Sequence, residues 1–157
     1  MKALTVTQPY ATLIVMGVKD IYNMARKTNF RGKIYIHALK KVVKEQWEIL
    51  EDKQHELIKK LVLENKLDYH FQNLPVGAII GEVEIVDCVI NHPSIWAERS
   101  FIHQANESNT IADDDYFVYN WVLANPILYD KPIPIPNIKG KLSLWKFDDG
   151  DLSHLMQ

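Results

Sequence analysis

Ala3-Leu4-Thr5-Val6-Thr7-Gln8-Pro9-Tyr10-Ala11-Thr12-Leu13-Ile14, closed by Gly17, is the stretch on which the fold turns. Ala3 to Thr7 alternates apolar and polar residues, Leu4 and Val6 against Thr5 and Thr7, which is the period of a half-buried strand. Pro9 suits a first helical turn, where its missing N–H has no partner to lose, and Thr7 or Gln8 can cap. Tyr10, Leu13 and Ile14 then share one helical face, and Gly17 supplies a left-handed stop. The chain therefore opens strand, helix, stop, and the segment after Gly17 emerges beside the end of the first strand.

Outward from there, residues 18–24 read as extended and Thr28-Asn29-Phe30-Arg31-Gly32 as a turn. Lys33 to His37 alternates strictly, with Ile34 and Ile36 on one side and Lys33, Tyr35 and His37 on the other. Between Ala38 and Leu67 the period becomes helical (Val43, Trp47, Leu50, Leu57, Leu61), as one helix or two joined near Glu51-Asp52-Lys53. Ala78 to Val89 is a second strong strand in which Gly81 marks a bulge or a close backbone approach. Residues 91–115 are an irregular excursion with a helical turn expected between Pro93 and Arg99; inside it Trp96 either closes over a cleft or pins the loop. Strands return at Tyr116 to Asn125, Ile127 to Ile135 and Leu142 to Phe147. Pro132, Pro134 and Pro136 confine the middle one to an edge or a link. Strands at both ends and helices between, without a βαβ rhythm, point to an α+β fold: a small, mostly antiparallel β-barrel with flanking α-helices, one domain over 1–157.

The chain has 157 residues, 47% hydrophobic and 24% charged, enough for one core without staples. Collagen-like, low-complexity and disordered classes are excluded. Cys88 is the single cysteine, and neither it nor the six histidines fall into metal-ligand spacing, so no metal or cofactor is expected and a reducing, cytoplasmic setting is. The opening residues lack the apolar run of a signal peptide, and no stretch is long and apolar enough to span a membrane. Charge is uneven: residues 1–72 carry 13 Lys+Arg against 8 Asp+Glu and residues 73–157 carry 5 against 12, for a net −2. Such a split allows a basic face on an acidic protein, or simply Lys-rich surface helices.

No phosphate loop, dinucleotide-binding glycine pattern, HExxH or nucleophile-elbow serine is present. A cluster of Gln8, Tyr10, Lys19, Tyr22, Arg26, Arg31 and His37 remains, which the short first helix gathers within a few turns of one another. Lys19 either caps the last helical carbonyls or binds an anion, or serves as base or nucleophile if desolvated. Tyr10 and Tyr22 offer faces for a stacked base, worth about 1–3 kcal/mol each, or ordinary core packing. Arg26 and Arg31 match phosphate geometry by their forked donors. His37 ends a strand on its polar side, as a structural group or a catalyst. Glu82 and Glu84 align on one strand face, where they are a solvated pair or an acid and a base.

Ala3 to Ile14, Gly17-Val18-Lys19 and Arg31-Gly32-Lys33-Ile34-Tyr35-Ile36-His37-Ala38, with Gly77 to Val83, Tyr119 to Pro126, Pro132 and Lys139 to Trp145, together resemble the ASCH domain family of the PUA-like superfamily over nearly the whole chain. The resemblance implies a small barrel with a cleft over the GxK segment, binding RNA, nucleotides or modified bases; some members are amidohydrolases of acetylated cytidine or ribonucleases. Lys19 matches the family's motif lysine, and Gln8, Arg31 and His37 match by position. Where the family commonly places Glu, Arg and Trp after the lysine, this chain has Tyr22, Met24 and Arg26, and Tyr22 does not reproduce the threonine of the amidohydrolase branch.

Without the acid that the family places after its motif lysine, the cleft is expected to be more basic, which favours holding an anion and a base over hydrolysis. The first expectation is thus a binding module for RNA or a nucleotide, with Lys19, Arg31 and Arg26 on phosphates, Tyr22 stacking and Gln8 reading a base edge. The rival is a hydrolase of a modified nucleoside or RNA, with Lys19 activating the nucleophile and Glu82 or Glu84 accepting the proton. A third is a toxin-antitoxin or stress-linked accessory whose surface binds a protein partner.

Overall fold

The alternating N-terminal run forms β1 (Lys2–Gln8) in the computed structural model of the chain, which describes residues 1–42, 50–68, 70–101, 117–135 and 143–147. A cis Gln8–Pro9 peptide leads into α1 (Tyr10–Val15), whose first turn is tied down by the Thr12 amide donating to Gln8 Oε1 at 3.0 Å. Residues 11–15 of this helix are all buried, so it has no solvent face and acts as a plug inside the sheet. Gly17 ends it at φ +79°, with its amide on the Ile14 carbonyl at 3.0 Å.

Along the chain come β2 (Ile21–Met24), β3 (Gly32–Val42), α2 (Asp52–Leu63), a single 3-10 turn at Phe71–Asn73, β4 (Ala78–Val89), β5 (Tyr119–Pro134) and β6 (Trp145–Lys146). The six strands form one sheet in the order β2-β5-β4-β3-β1-β6. β1 and β3 are parallel, and every other pairing is antiparallel. The sheet curls into a half-barrel, giving the α+β PUA-like architecture. Its concave face buries Leu4, Ile34, Ile36, Val83, Ile85 and Trp121 against Ala11, Ile14 and Val15 of α1. α2 closes a second cluster through Ile58 and Leu61 on Leu13, Ile21 and Trp96, while Ala3, Ile79, Ile133 and Phe147 form a third.

Tertiary pairing overrides the local period in two places. Ala38 to Val42, where a helical period begins, instead prolong β3: Ala38 pairs with Val6 on one side and Ala78 on the other, and two ladders outweigh propensity. Helix α2 starts at Asp52, at the expected break, while residues 43–49, with Val43 and Trp47, lie outside the described residues. Secondly, the two late strands are one. β5 pairs with β4 from Asn120 opposite Val89 to Pro134 opposite Ala78, absorbing three register shifts and a positive φ at Asn125. On its other side β2 covers only Tyr119 to Val122, so Pro132 and Pro134 do lie along an edge, while Pro136 is outside the described residues. Of Pro93 to Arg99, Ile95 and Trp96 make one turn, closed by the Ala97 amide on the Ser94 carbonyl at 3.1 Å, and of the Leu142 to Phe147 run only Trp145 and Lys146 pair as strand among the described residues.

Gly81 is the expected close approach. A Cβ there would stand 2.1 Å from the Ile127 carbonyl oxygen and 2.8 Å from Val15 Cγ1, so β5 and α1 can both reach β4 only over a bare backbone.

Candidate functional site

The half-barrel leaves a seam. β6 covers β1 only at Lys2 and Ala3, and β2, at the far end of the sheet, pairs with β5 alone among the described residues. Thr5 to Thr7 of β1 and Tyr22 and Asn23 of β2 consequently line a common cavity of about 330 Å³, a size in the range of small-ligand sites. Tyr10 at the start of α1 forms part of its wall, the α2 cap contributes Leu50, Glu51 and Gln54, and the excursion after β4 supplies Trp96 and Glu98.

That excursion is fixed from below by two buried or half-buried asparagines. Asn23 donates to the Trp96 carbonyl at 2.9 Å and accepts from the Glu98 amide at 3.0 Å. Asn120, fully buried, donates to Asn23 Oδ1 at 2.9 Å and to the Glu98 carbonyl at 3.2 Å, and accepts from the His92 amide at 3.0 Å. Ser94 adds a hydroxyl bond to Asp20 at 2.5 Å. Trp96 thus both pins the loop through its backbone and presents its buried ring to the cavity.

Lys19 is the cation of this cavity and is 7% exposed. Its Nζ donates to the Ile21 carbonyl, not to a helix carbonyl, so the side-chain cap is replaced by a turn-spanning bond that holds the amine at the start of β2. The ammonium lies 5.6 Å from the Tyr10 ring centre and 5.7 Å from that of Trp96, within reach of their negative faces. Burial lowers its pKa to about 8, against the opposing pull of Asp20 and Glu98. It also borders a second cavity of about 190 Å³ toward Gly17, Val83 and Pro126. Burial raises the phenol pKa of Tyr10, as does Glu98, and burial raises that of Tyr22, so both rings are neutral. Tyr22 rests on Trp121 with ring centres 5.8 Å apart.

Among the described lining residues one cation faces two carboxylates, Glu51 and Glu98, so the expected basic cleft is a mixed-charge one. Both acids come from distant sequence, whereas Asp20, next to Lys19 in the chain, acts on its ammonium but is bonded to Ser94 and lies outside this lining. Of the seven clustered candidates, Tyr10, Lys19 and Tyr22 meet in the cavity. Gln8 is fully buried outside the lining, its amide nitrogen on the Pro75 carbonyl at 2.7 Å and its oxygen accepting from the Thr12 amide, so it does not reach a base edge in the cavity. Arg31 is exposed and bound to the carbonyls of Thr28 and Phe30 and, at 3.7 Å, to Asp87. Arg26 is exposed just past β2, its carbonyl accepting from the Trp121 indole at 3.0 Å.

His37 belongs elsewhere: it is buried on the convex side, with Nε2 on the Ile135 carbonyl at 2.9 Å and Nδ1 on Thr5 Oγ1 at 3.3 Å. Glu82 and Glu84 do share a face, but it is the convex one, because Val83 and Ile85 between and beyond them point into the concave core. There Glu84 accepts from Asn125 at 2.7 Å and Glu82 bonds Tyr129, whose pKa is driven upward first by burial and then by that carboxylate. Neither glutamate lines the Lys19 cavity. Among the described residues no group of three His, Cys, Asp or Glu could hold a metal ion, and no helix is long and apolar enough to cross a membrane.

No protein-family model matches the chain. Over 146 residues, 92% of its length, it is 27% identical to Activating signal cointegrator 1 of Homo sapiens, and equally so to the Mus musculus protein. It spans 22% of the length of each of these relatives. The relation is a distant homology and lends loose support to the ASCH resemblance.

Proposed function

We propose that the chain is an ASCH-type binding module for RNA or a nucleotide, in which the seam cavity holds a base and the exposed cations beyond β2 meet the phosphates. The carrying observation is the grouping of Tyr10, Tyr22 and Trp96 around the buried Lys19 ammonium in a single cavity. Flat apolar faces with one strong donor suit a heterocycle that stacks and offers a carbonyl; each stacked base contributes about 1–3 kcal/mol. A phosphate fits that cavity poorly, because Glu51 and Glu98 would repel it. Lys19 therefore reads the base, and Arg26 and Lys27, both exposed, are available to the backbone. The distant relatives are named for cointegrating activating signals, which fits a module that works on partner macromolecules.

A hydrolase with Glu82 or Glu84 as proton acceptor is less well supported, since both carboxylates sit across the sheet from Lys19.

Short oligoribonucleotides and mononucleotides titrated against the chain, read by tryptophan fluorescence and calorimetry, test the proposal. Binding is expected, salt-dependent for the oligomers, and weakened about tenfold or more by Trp96→Ala, which removes a stacking face. Absence of binding to every oligomer and nucleotide at low salt overturns it.

A further inference from the structure

Resting on that reading, we infer that the base held in the seam is guanine, its O6 on the Lys19 ammonium and its N1–H and N2 amino group on the Glu98 carboxylate. The charges of the cavity that carry no side-chain partner of the opposite kind select it. The amide side chains there, which could have read an edge in either sense, are engaged within the protein. Asn23 serves Trp96, Glu98 and Asn120, and Gln54 donates to the Ile95 carbonyl at 2.7 Å while accepting from the Glu51 amide at 3.1 Å. The Thr5 hydroxyl is occupied by His37 and by the Trp145 indole. Glu51 returns its carboxylate to the α2 amide at Gln54.

Two charged groups remain, beside the hydroxyls of Thr7, Tyr10 and Tyr22, each of which can donate or accept and so favours no one base. Lys19 is donor-only and uses one of its three N–H bonds on Ile21. Glu98 is acceptor-only, exposed at the rim, and no hydrogen bond or salt bridge holds its carboxylate among the described residues. It is close enough to act electrostatically on both Lys19 and Tyr10. The complementary edge carries one acceptor for the ammonium and, beside it, two adjacent donors for the two oxygens of a carboxylate. Guanine has that sequence along its pairing edge. Adenine and cytosine set a ring-nitrogen acceptor next to their amino group, and uracil sets its single N–H between two carbonyls; each would turn an acceptor toward the carboxylate. A purine also covers more of the Tyr10, Tyr22 and Trp96 faces than a pyrimidine.

Calorimetric titration of the full chain with GMP, IMP, AMP, CMP and UMP decides the matter, because IMP keeps O6 and N1–H but lacks the N2 amino group. GMP is expected to bind tightest and IMP about tenfold more weakly. Glu98→Gln, which swaps one acceptor oxygen for a donor, is expected to lower GMP affinity about tenfold and bring it level with IMP. The Glu98 backbone bonds to Asn23 and Asn120 do not involve the altered side chain, and an unchanged thermal midpoint verifies the fold. The guanine assignment alone is overturned if AMP, CMP or UMP binds as tightly as GMP, or if Glu98→Gln preserves the GMP to IMP ratio. If none of the five binds, and neither a guanine-containing nor a guanine-free pentaribonucleotide does, the base-binding reading falls with it.

Discussion

Lys19 holds its charge where water scarcely reaches, and that position makes it both destabilising and useful. A fall in pKa from 10.5 to about 8 corresponds to roughly 3 kcal/mol of penalty for keeping the amine protonated near neutrality. Removing the amine also takes a donor from the Ile21 carbonyl and a cation from the faces of Tyr10 and Trp96, at a cost of about 2 kcal/mol. Lys19→Met is therefore expected to gain about 1 kcal/mol of stability at pH 7 while losing ligand binding. The folded-state pKa lies below the unfolded one, so between about pH 8 and 10.5 the unfolded chain carries the extra proton, and the contribution of this residue to stability rises with pH across that window. Urea titrations at pH 7 and 9.5 should show that rise in the parent chain and its absence in Lys19→Met; equal slopes in both would place the amine in water. Ligand affinity runs the other way, declining above about pH 8 as the ammonium becomes a neutral amine and a weaker donor.

At the scale of the element, β4 is the member to which everything is keyed, and Gly81 is where it is most crowded. A methyl group there must displace the Ile127 carbonyl, which is backbone, and Val15, the last residue of α1. Gly81→Ala is expected to cost about 3 kcal/mol in chemical denaturation. Because α1 carries Tyr10 at its other end, the variant should also weaken nucleotide binding; a change below about 0.5 kcal/mol would mean that the strand relaxes freely. Much of this element level was legible in the sequence. β1, the start of β3 and β4 announce themselves by a period of two, and Gly17 and Gly81 by their lack of a side chain. The length of β5 was not, because its bulges break the alternation and its prolines suggest an ending. Tyr10, Lys19 and Tyr22 were legible as neighbours since they flank one short helix. Trp96 and Glu98 reach them from more than seventy residues away, through Asn23 and Asn120. The available signal was faint: an asparagine in each of two strands, where a hydrophobic residue would ordinarily stand.

For the whole molecule, the strand order threads β1 and β6, from opposite ends of the described chain, through one sheet. β1 lies between β3 and β6, and Met1 and Phe147 bond each other through the terminal ammonium at 3.3 Å and the Phe147 amide at 3.0 Å. His37 ties the same region together. The Ile135 carbonyl requires a proton on Nε2, so Nδ1 accepts from Thr5, whose oxygen in turn accepts from Trp145 at 3.1 Å. This chain of bonds joins β1, β3, the end of β5 and β6, and it is built for a neutral imidazole. Burial holds the His37 pKa below its usual value, with the Ile135 bond opposing. The unfolded chain thus binds the additional proton first as pH falls below about 6.5, and stability is lost as the pH drops from there toward the folded-state pKa. Acidification is expected to loosen β1 and β6 together, since neither strand can leave the sheet without breaking this network. Far-UV and near-UV circular dichroism should then report one coincident transition, and the His37 ring protons should titrate with a midpoint below about 6.5. Two separated transitions would show that β6 and the end of β5 form an independent unit, and a midpoint at or above about 6.5 would show that the imidazole is solvated and the network broken.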